Sequence, residues 1–274
     1  MWPYLLRVPL IDRPLPTFGL ALAIAFLLAI WTTARLSERE GISKTAVYGF
    51  AFCLLPSCLL GTKLLMALSA RDSLAGTQPQ FSTVAASSAL GGYWGGLLLA
   101  LVVSVLLTRL WQMPWTRMAD AWAPALALAN IVGRIGCFLA GCCWGRPTTS
   151  WIGVKFTEQA HWNTGVPIDV MLVPTQLIQA GLNVLSFGFL FWLWKRRAFA
   201  GQIILAYLIL YSLERFVMDF WRADDSGSLL GCSVPRLIAI GVSIPAFTLM
   251  ICLWRRAHRS ADLEAAIEPR PSSL

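Results

Sequence analysis

Charged residues are scarce in this sequence. They make up 13% of its 274 residues, whereas 57% are hydrophobic and the mean hydropathy is +0.64. In soluble globular domains about a quarter of the residues are charged. The composition therefore excludes an ordinary soluble domain and predicts an integral membrane protein.

Histidine is nearly absent as well. The two histidines, His161 and His258, both lie outside the long apolar runs, so we do not expect an imidazole base within the membrane. The seven cysteines are an odd number and lie mostly inside apolar segments. This pattern indicates small core residues rather than a disulfide framework.

Residues 1–16 lack the features of a secretory signal. They have no charged start, no compact apolar centre and no small-residue cleavage site. We expect an interfacial arm here, with Trp2 and Tyr4 at the level of the lipid headgroups.

Seven apolar runs follow, each long enough to cross a membrane. At about 1.5 Å per residue, a helix of roughly 20 residues spans a hydrocarbon core of ~30 Å. We therefore predict an all-α integral membrane protein of about seven transmembrane helices, at 17–33, 46–68, 85–107, 119–139, 174–194, 201–221 and 234–254.

The polar segments complete the predicted architecture. The longest, 147–173, is predicted to be a small folded cap, in which 151–156 alternate in polarity like a short strand. The transmembrane domain is assigned to 1–256. The remaining tail, 257–274, is short and polar, and we expect it to be disordered.

The positions of the basic residues predict the orientation. The net charge of +8 falls in short clusters between apolar runs, which is a topology signal and not a nucleic-acid-binding surface. Loops after the odd-numbered runs carry the larger share of arginine and lysine, as in 195–197. The bias predicts an external amino terminus, a cytoplasmic carboxyl terminus and an external cap.

Residues 133–147 are the most unusual stretch, with two arginines set among four glycines at the end of an apolar run. Gly141 and Gly145 have the four-residue spacing that lets membrane helices touch, and 91–96 is a second place for close helix contact. An unpaired Arg134 would cost several kcal/mol in this environment. One interpretation is snorkelling at the interface. The other, which accounts for both arginines, is a phosphate site.

The cysteines of this stretch raise a metal site as an alternative. Cys142 and Cys143 are adjacent, so on a helix they would point to different sides, and no histidine lies at ligand spacing. We therefore predict no metal and no cofactor.

The sixth run carries a second polar group. Tyr211, Arg215, Asp219 and Arg222 are spaced by four, four and three residues, so they share one helix face, while Glu214 points elsewhere. A face of mutually neutralising charges is one interpretation. An anion-binding face is the other, since Arg215 lies roughly two turns inside the run.

Together these motifs resemble a known family. The pattern Gly-Arg-Ile-Gly-x-Phe-x-x-Gly-x-x-x-Gly-Arg from Gly133 to Arg146, preceded by Asp120 and Pro124, is similar to the signature of prolipoprotein diacylglyceryl transferases. The pattern Tyr-x-x-x-Arg-x-x-x-acid-x-x-Arg from Tyr211 resembles the second signature of that family, and a looser likeness covers 16–256. The family consists of bacterial inner-membrane enzymes.

The resemblance implies an activity and its partners. A lipobox cysteine of a prolipoprotein replaces the glycerol phosphate of phosphatidylglycerol, and a thioether to diacylglycerol results. Arg134, Arg215 and Asp219 are the catalytic residues implied. The substrate-binding residues implied are Gly133, Gly136, Gly141, Gly145, Arg146, Tyr211, Arg222, Trp94, Gly95, Gly96 and Gln176.

The sequence departs from the family at several polar positions. Trp94 stands in the place of the family's histidine, Cys137 in the place of an asparagine and Cys142 in the place of a glutamate. A protein that binds anionic phospholipid without turning it over is therefore the second hypothesis. A transporter is disfavoured, because the runs show no internal repeat.

Overall fold

The computed structural model describes residues 4–8, 13–74, 88–223, 228–229 and 232–267. Within them the fold is all-helical, as predicted. The helices are α1 Thr17–Glu38, α2 Lys44–Leu74, α3 Ser88–Leu110, α4 Trp115–Ala140, α5 Glu158–Thr164, α6 Thr175–Trp194, α7 Gln202–Met218 and α8 Val234–Ile267. There are also two small antiparallel hairpins. One pairs β1 Tyr4–Val8 with β2 Arg13–Pro16 before α1, and the other pairs β3 Ser228–Leu229 with β4 Cys232–Ser233 between α7 and α8.

Seven of these helices are long, and they occur at the seven predicted apolar runs. By length and hydropathy, five could cross a membrane, at Thr17–Glu38, Lys44–Leu65, Trp115–Ala140, Thr175–Trp194 and Val234–Arg259. Large apolar side chains point outward, such as Phe52 at 81% exposure and Leu185 at 70%. A soluble protein would bury such a surface, so the helical bundle fits a membrane protein.

Small residues let the helices approach closely. In α4, Ala121, Ala123 and Ala127 are fully buried, and α4 packs against α1, α6 and α7. The pair α2 and α3 meets at Gly61 and Gly95, where a Cβ on either glycine would collide with the carbonyl oxygen of the other. Close contact at the second glycine-rich stretch is therefore confirmed for Gly95.

The arm and the cap are tied together outside the bundle. The predicted interfacial arm folds as the β1–β2 hairpin, and the Tyr4 hydroxyl donates to Asn163 Oδ1 of α5 at 2.7 Å. Trp2 lies outside the described residues. The predicted strand at 151–156 reduces to one bridge, between Val154 and Leu172, because the chain turns at Trp151.

The carboxyl-terminal helix is longer than predicted. Disorder was expected from Ala257, but α8 continues to Ile267. Residues 268–274 of the predicted tail lie outside the described residues.

Candidate active site

Arg134 lies on α4, half-buried, a little less than two turns before the helix ends at Ala140. The neighbouring Gly133 faces open space, since a Cβ built on it meets nothing within 4 Å among the described residues. Gly136, in contrast, packs on α1, because a Cβ there would lie 2.5 Å from Ala21 Cβ. Of these two predicted binding glycines, only Gly133 borders space that a ligand could enter.

Arg215 lies on α7 and within electrostatic range of Arg134. Its Nη1 atom is buried and has no hydrogen-bond partner among the described residues. The Tyr211 side chain, one turn earlier on α7, also acts electrostatically on Arg215 and stacks on Tyr207. A buried guanidinium nitrogen without an acceptor is costly, and an anion is the acceptor that would satisfy it best.

Glu214 is a residue that the sequence interpretation placed wrongly. It does not point away from the arginines: it is buried, and the charges of Arg134 and Arg215 both act on its carboxylate. Asn183 of α6 donates from Nδ2 to both Glu214 oxygens, at 2.9 and 2.8 Å. The site therefore contains two cations and an acid held between helices.

A signal for Glu214 was present in the sequence. Gln176, Gln179 and Asn183 recur at helical spacing in an otherwise apolar run, which indicates a buried polar stripe. A carboxylate in the next run is the natural partner of such a stripe.

α7 ends earlier than predicted, but Tyr211, Asp219 and Arg222 all act electrostatically on Arg215. The helix ends at Met218, so Tyr211 and Arg215 share a face, but Asp219 caps the helix and Arg222 follows three turn residues. Asp219 accepts a hydrogen bond from the Ser233 hydroxyl and pairs with Arg236 Nε at 2.7 Å. Arg236 was missed, and Asp219 ties α7 to α8 in addition to acting on Arg215.

Arg222 joins this turn to the glycine-rich stretch. Its backbone forms an antiparallel bridge with Gly145, and its carbonyl accepts a hydrogen bond from Arg146 Nε at 3.3 Å. The backbone N–H of Arg146 donates to the carbonyl of Trp221 at 2.7 Å. The two family motifs therefore meet in space.

Gly141 and Gly145 do not form the predicted helix contact. The helix has already ended, and Gly141 caps it in the left-handed conformation, with φ of 81°. Gly145 is enclosed by backbone, because a Cβ there would lie 2.7 Å from the Val173 carbonyl oxygen and 2.8 Å from that of Trp221. Both glycines shape the loop that leaves α4.

Side chains of α6 donate hydrogen bonds to the backbone of the loop that leaves α4. Thr175 Oγ1 donates to the Cys143 carbonyl at 2.7 Å, and Gln176 Nε2 donates to the Cys142 carbonyl at 2.6 Å. Gln176 is wholly buried, so it positions the loop and does not line open space. Direct contact of Gln176 with substrate stays a prediction.

The remaining predicted binding residues lie on α3. Gly95 and Gly96 are buried against α2, and a Cβ on Gly96 would lie 2.9 Å from the Cys58 carbonyl oxygen. They act as packing residues, and a binding role for them stays a prediction. The side chain of Trp94 lies outside the described part of the chain.

The three cysteines are arranged differently from the prediction. Cys142 and Cys143 are not on a helix, and Cys143 has a left-handed φ of 61°. Consequently the Sγ atoms of Cys137, Cys142 and Cys143 all lie within 4.8 Å of one another. Hydrogen bonds from the Cys137 and Cys142 thiols, assisted by the charge of Arg222, lower the pKa of the Cys143 thiol.

The loop geometry gives a first prediction, for Gly145→Ala. The added methyl group has no space between Val173, Thr175 and Trp221, so we expect a loss of about 1–3 kcal/mol in the free energy of unfolding. We also expect transfer activity to fall, because the Gly145–Arg222 bridge is displaced. Thermal unfolding in detergent and an activity assay measure the two effects.

Gly188→Ala is the matched control for this change. A Cβ at Gly188 on α6 meets nothing within 4 Å among the described residues. In a helix interior alanine is more favourable than glycine by about 0.5–1 kcal/mol, so this variant should not lose stability. Equal unfolding temperatures and activities for the two variants would show that the loop tolerates the methyl group.

Comparison with known proteins agrees with the geometry. A family model described as prolipoprotein diacylglyceryl transferase matches residues 4–254. A phosphatidylglycerol–prolipoprotein diacylglyceryl transferase of Clostridium tetani is 28% identical over 241 residues, covering 86% of this chain and 90% of that protein. The protein of that name from Symbiobacterium thermophilum is 27% identical over 247 residues, 89% of this chain and 91% of its own. The second such transferase of Clostridium perfringens is 39% identical over 132 residues, about half of each chain.

Proposed function

The chain belongs to the prolipoprotein diacylglyceryl transferase family, and from this membership we propose that it transfers a diacylglyceryl group from phosphatidylglycerol to the lipobox cysteine of a prolipoprotein. Relatives that carry this activity in their names match most of its length. The observation that carries the proposal is the grouping of Arg134, Arg215 and Glu214, in which a buried guanidinium nitrogen of Arg215 lacks an acceptor among the described residues.

The reaction is a substitution at carbon. The lipobox sulfur, as thiolate, forms a bond to the glycerol methylene carbon of the diacylglyceryl group. The bond from that carbon to the phosphate oxygen breaks, and glycerol phosphate leaves with the electron pair. The thiol proton is lost when the thiolate forms, and the product is a thioether.

The cations act on the departing phosphate. Guanidinium groups that face a developing anion stabilise the transition state more than the ground state. Glu214 acts on the two arginines through its charge, and Asn183 holds its carboxylate in place.

A groove between α7 and α8 supports a lipid substrate. A cavity of about 430 Å³ lies between α7 and α8, lined by apolar side chains including Leu213, Phe216 and Ile240. On α7 it is lined by Ile209, Ser212, Leu213 and Phe216, and Arg215 is not among its lining residues. We assign this groove to an acyl chain, which would lie in it while the phosphate reaches the arginines.

The orientation is part of the proposal. All seven long helices cross the bacterial inner membrane, with the amino terminus and the cap in the periplasm and the carboxyl terminus in the cytoplasm. Its support is the excess of arginine and lysine in loops such as 195–197 and after Trp254. The active site then lies at the periplasmic ends of α4 and α7.

The orientation predicts the labelling of a cysteine placed at Ser150 in the cap. In a chain whose native cysteines are replaced by serine, Ser150→Cys should react with a membrane-impermeant maleimide in intact spheroplasts. A cysteine at Ala198, in the loop between α6 and α7, should react only after lysis. The reverse pattern would overturn the topology.

A lipidation assay tests the function itself. Purified protein with phosphatidylglycerol and a lipobox peptide should yield the diacylglyceryl thioether, detected by mass spectrometry. Asp219→Asn should weaken this activity, because Asp219 holds Arg236 and acts on Arg215. A peptide whose lipobox cysteine is changed to serine is the control.

The absent histidine favours one rival function, phospholipid binding without transfer. Trp94 stands where the family carries histidine, and an indole N–H cannot act as a base near neutral pH. If the parent protein shows no transfer and Trp94→His gains lipidation activity, then phospholipid binding without transfer is the correct function of the parent. An active parent supports the transferase.

A further inference from the structure

Three thiols lie close together near Arg134 and Arg222. The reaction proposed above gives them no role. Cys137 lies on the last turn of α4, while Cys142 and Cys143 follow in the loop, and their Sγ atoms lie within 4.8 Å of one another. From this convergence we propose that Cys137, Cys142 and Cys143 bind one thiophilic divalent cation, Zn²⁺, whose fourth position takes the lipobox thiol. The second half of this proposal rests on the proposed function.

The spacing of the thiols suits a single ion. Zinc binds thiolate sulfur at about 2.3 Å, so three sulfurs around one zinc lie roughly 4 Å apart. The observed limit of 4.8 Å requires each sulfur to move by less than about 1 Å to close on the ion.

The loop backbone is built to bring the thiols together. The left-handed φ of 61° at Cys143 is unfavourable for a non-glycine residue, and such strain recurs at ligand clamps. The carbonyls of Cys142 and Cys143 are each fixed by a buried residue of α6, Gln176 and Thr175. These hydrogen bonds hold the unusual conformation without any ion.

The charges around the cluster favour a metal thiolate. Three thiolates with Zn²⁺ carry one net negative charge. The charge of Arg134 acts on Cys137, and Arg222 interacts with Cys143 both through its charge and through a hydrogen bond. Cations beside the sulfurs therefore offset the charge that metal binding creates.

Three protein ligands leave one position open, which is the pattern of catalytic rather than structural zinc. The acceptor of this reaction is itself a thiol, and a thiol that coordinates zinc is deprotonated outright. Binding the lipobox sulfur to the ion would release its proton to solvent and present a thiolate beside the arginines. This route needs no imidazole, so it accounts for activity with tryptophan at position 94.

The step balances without a further reactant. The zinc-bound sulfur forms the bond to the glycerol methylene carbon as the carbon–oxygen bond to phosphate breaks. The product thioether is uncharged and therefore a weaker ligand than the thiolate it replaces. Its departure returns the ion to three cysteine ligands.

Metal content tests the site directly. Full-length protein purified with Zn²⁺ should contain about one zinc per chain by elemental analysis, as one three-thiolate site requires. Cys143→Ser and Cys142→Ser should lose it, whereas Cys53→Ser and Cys252→Ser, which lie on α2 and α8, should keep it. Zinc that is absent from the parent, or unaffected by Cys143→Ser, would overturn the site. A disulfide between any two of the three cysteines in unreduced protein would do the same.

The open position is tested with Co²⁺ in place of zinc. Adding the lipobox peptide should shift the visible bands of the Co²⁺ protein, and the peptide with serine at the lipobox position should not. An unchanged spectrum with both peptides would overturn the acceptor role of the ion.

Activity separates this proposal from the transferase function. Cys143→Ser should lower lipidation by at least about a hundredfold, and Cys53→Ser should not. If the parent transfers lipid and Cys143→Ser does so equally well, the zinc proposal fails and the function stands. If the parent binds zinc and the peptide shifts the Co²⁺ bands but no lipid is transferred, the proposed function fails and the metal site stands.

Discussion

Arg134→Ala and Arg215→Ala should each lower diacylglyceryl transfer by at least about 10²–10³, with the protein still folded. Both side chains act on the Glu214 carboxylate and on one another, from two different helices. Removing either one leaves a phosphate without half of its guanidinium contacts. The loss should fall mainly on kcat, because the charge on the leaving phosphate develops in the transition state.

Lysine variants separate charge from geometry at the same positions. Arg215→Lys keeps the positive charge but loses the planar fork that binds two phosphate oxygens at once. We expect intermediate activity for Arg134→Lys and Arg215→Lys, between the parent and the alanine variants. A lysine variant with parental activity would show that a point charge is sufficient.

Arg35→Ala is the matched control. Arg35 is an exposed arginine near the end of α1, where its guanidinium stacks on Trp31 at 4.7 Å from the ring centroid. Its removal should leave transfer unchanged. If Arg134→Ala and Arg215→Ala both turn over like the parent and like Arg35→Ala, the phosphate site is not where these arginines lie.

The helices could be predicted from the sequence because their signal is local. Each apolar run is long enough to define one helix by itself, and the long helices occur at the predicted runs. Arg134 and Arg215 could be picked out for a similar reason, since a cation within an apolar run is costly wherever the run packs. The proximity of the two arginines is also expected, because one anion bound between them would offset the cost of both charges.

The ends of helices were predicted less well because tertiary contacts determine them. The backbone of Arg222 pairs with Gly145, and this contact between distant segments accompanies the end of α7 at Met218. The metal alternative was set aside because of an assumption about local conformation. Cys142 and Cys143 were assumed to be helical, whereas α4 ends before them at Ala140.

Glu214 shows a third kind of error. Helical spacing placed it off the face of Tyr211 and Arg215, which is correct for a single helix. Its partners, however, lie on other helices, with Asn183 on α6 and Arg134 on α4. The face of one helix cannot reveal what the neighbouring helices present to its other side.

The largest loss of stability is expected from Asp120→Ala. Asp120 lies on α4 with no exposed side-chain surface. Its Oδ2 accepts the backbone N–H of Gly201 at 2.7 Å, and its Oδ1 accepts that of Ile204 at 2.9 Å. A carboxylate from one helix thereby caps the amino terminus of α7, whose first N–H groups have no partner within the helix.

Alanine at this position removes more than two hydrogen bonds. The Arg197 guanidinium lies 3.8 Å from Asp120 and also pairs with Glu40, so its surroundings lose one of two negative charges. Removing one partner from a buried, charged network costs about 3–5 kcal/mol. Thermal unfolding in detergent should therefore move to a clearly lower temperature.

Glu38→Ala is the control for this loss. Glu38 pairs with Lys44 at 2.8 Å, and both side chains are nearly half exposed. Exposed pairs contribute about 0–1 kcal/mol, so this variant should unfold close to the parent. The contrast tests whether burial, rather than the presence of an ion pair, determines the cost.

Turnover distinguishes this effect from a change in the active site. Asp120 precedes Arg134 on the same helix by about 21 Å, at 1.5 Å per residue. Turnover per folded molecule should therefore stay near the parental value while the unfolding temperature falls. An Asp120→Ala protein that is as stable as the parent would show that water can replace the carboxylate at the start of α7. An Asp120→Ala protein that is stable but inactive would show that Asp120 has a role in the reaction and not only in stability.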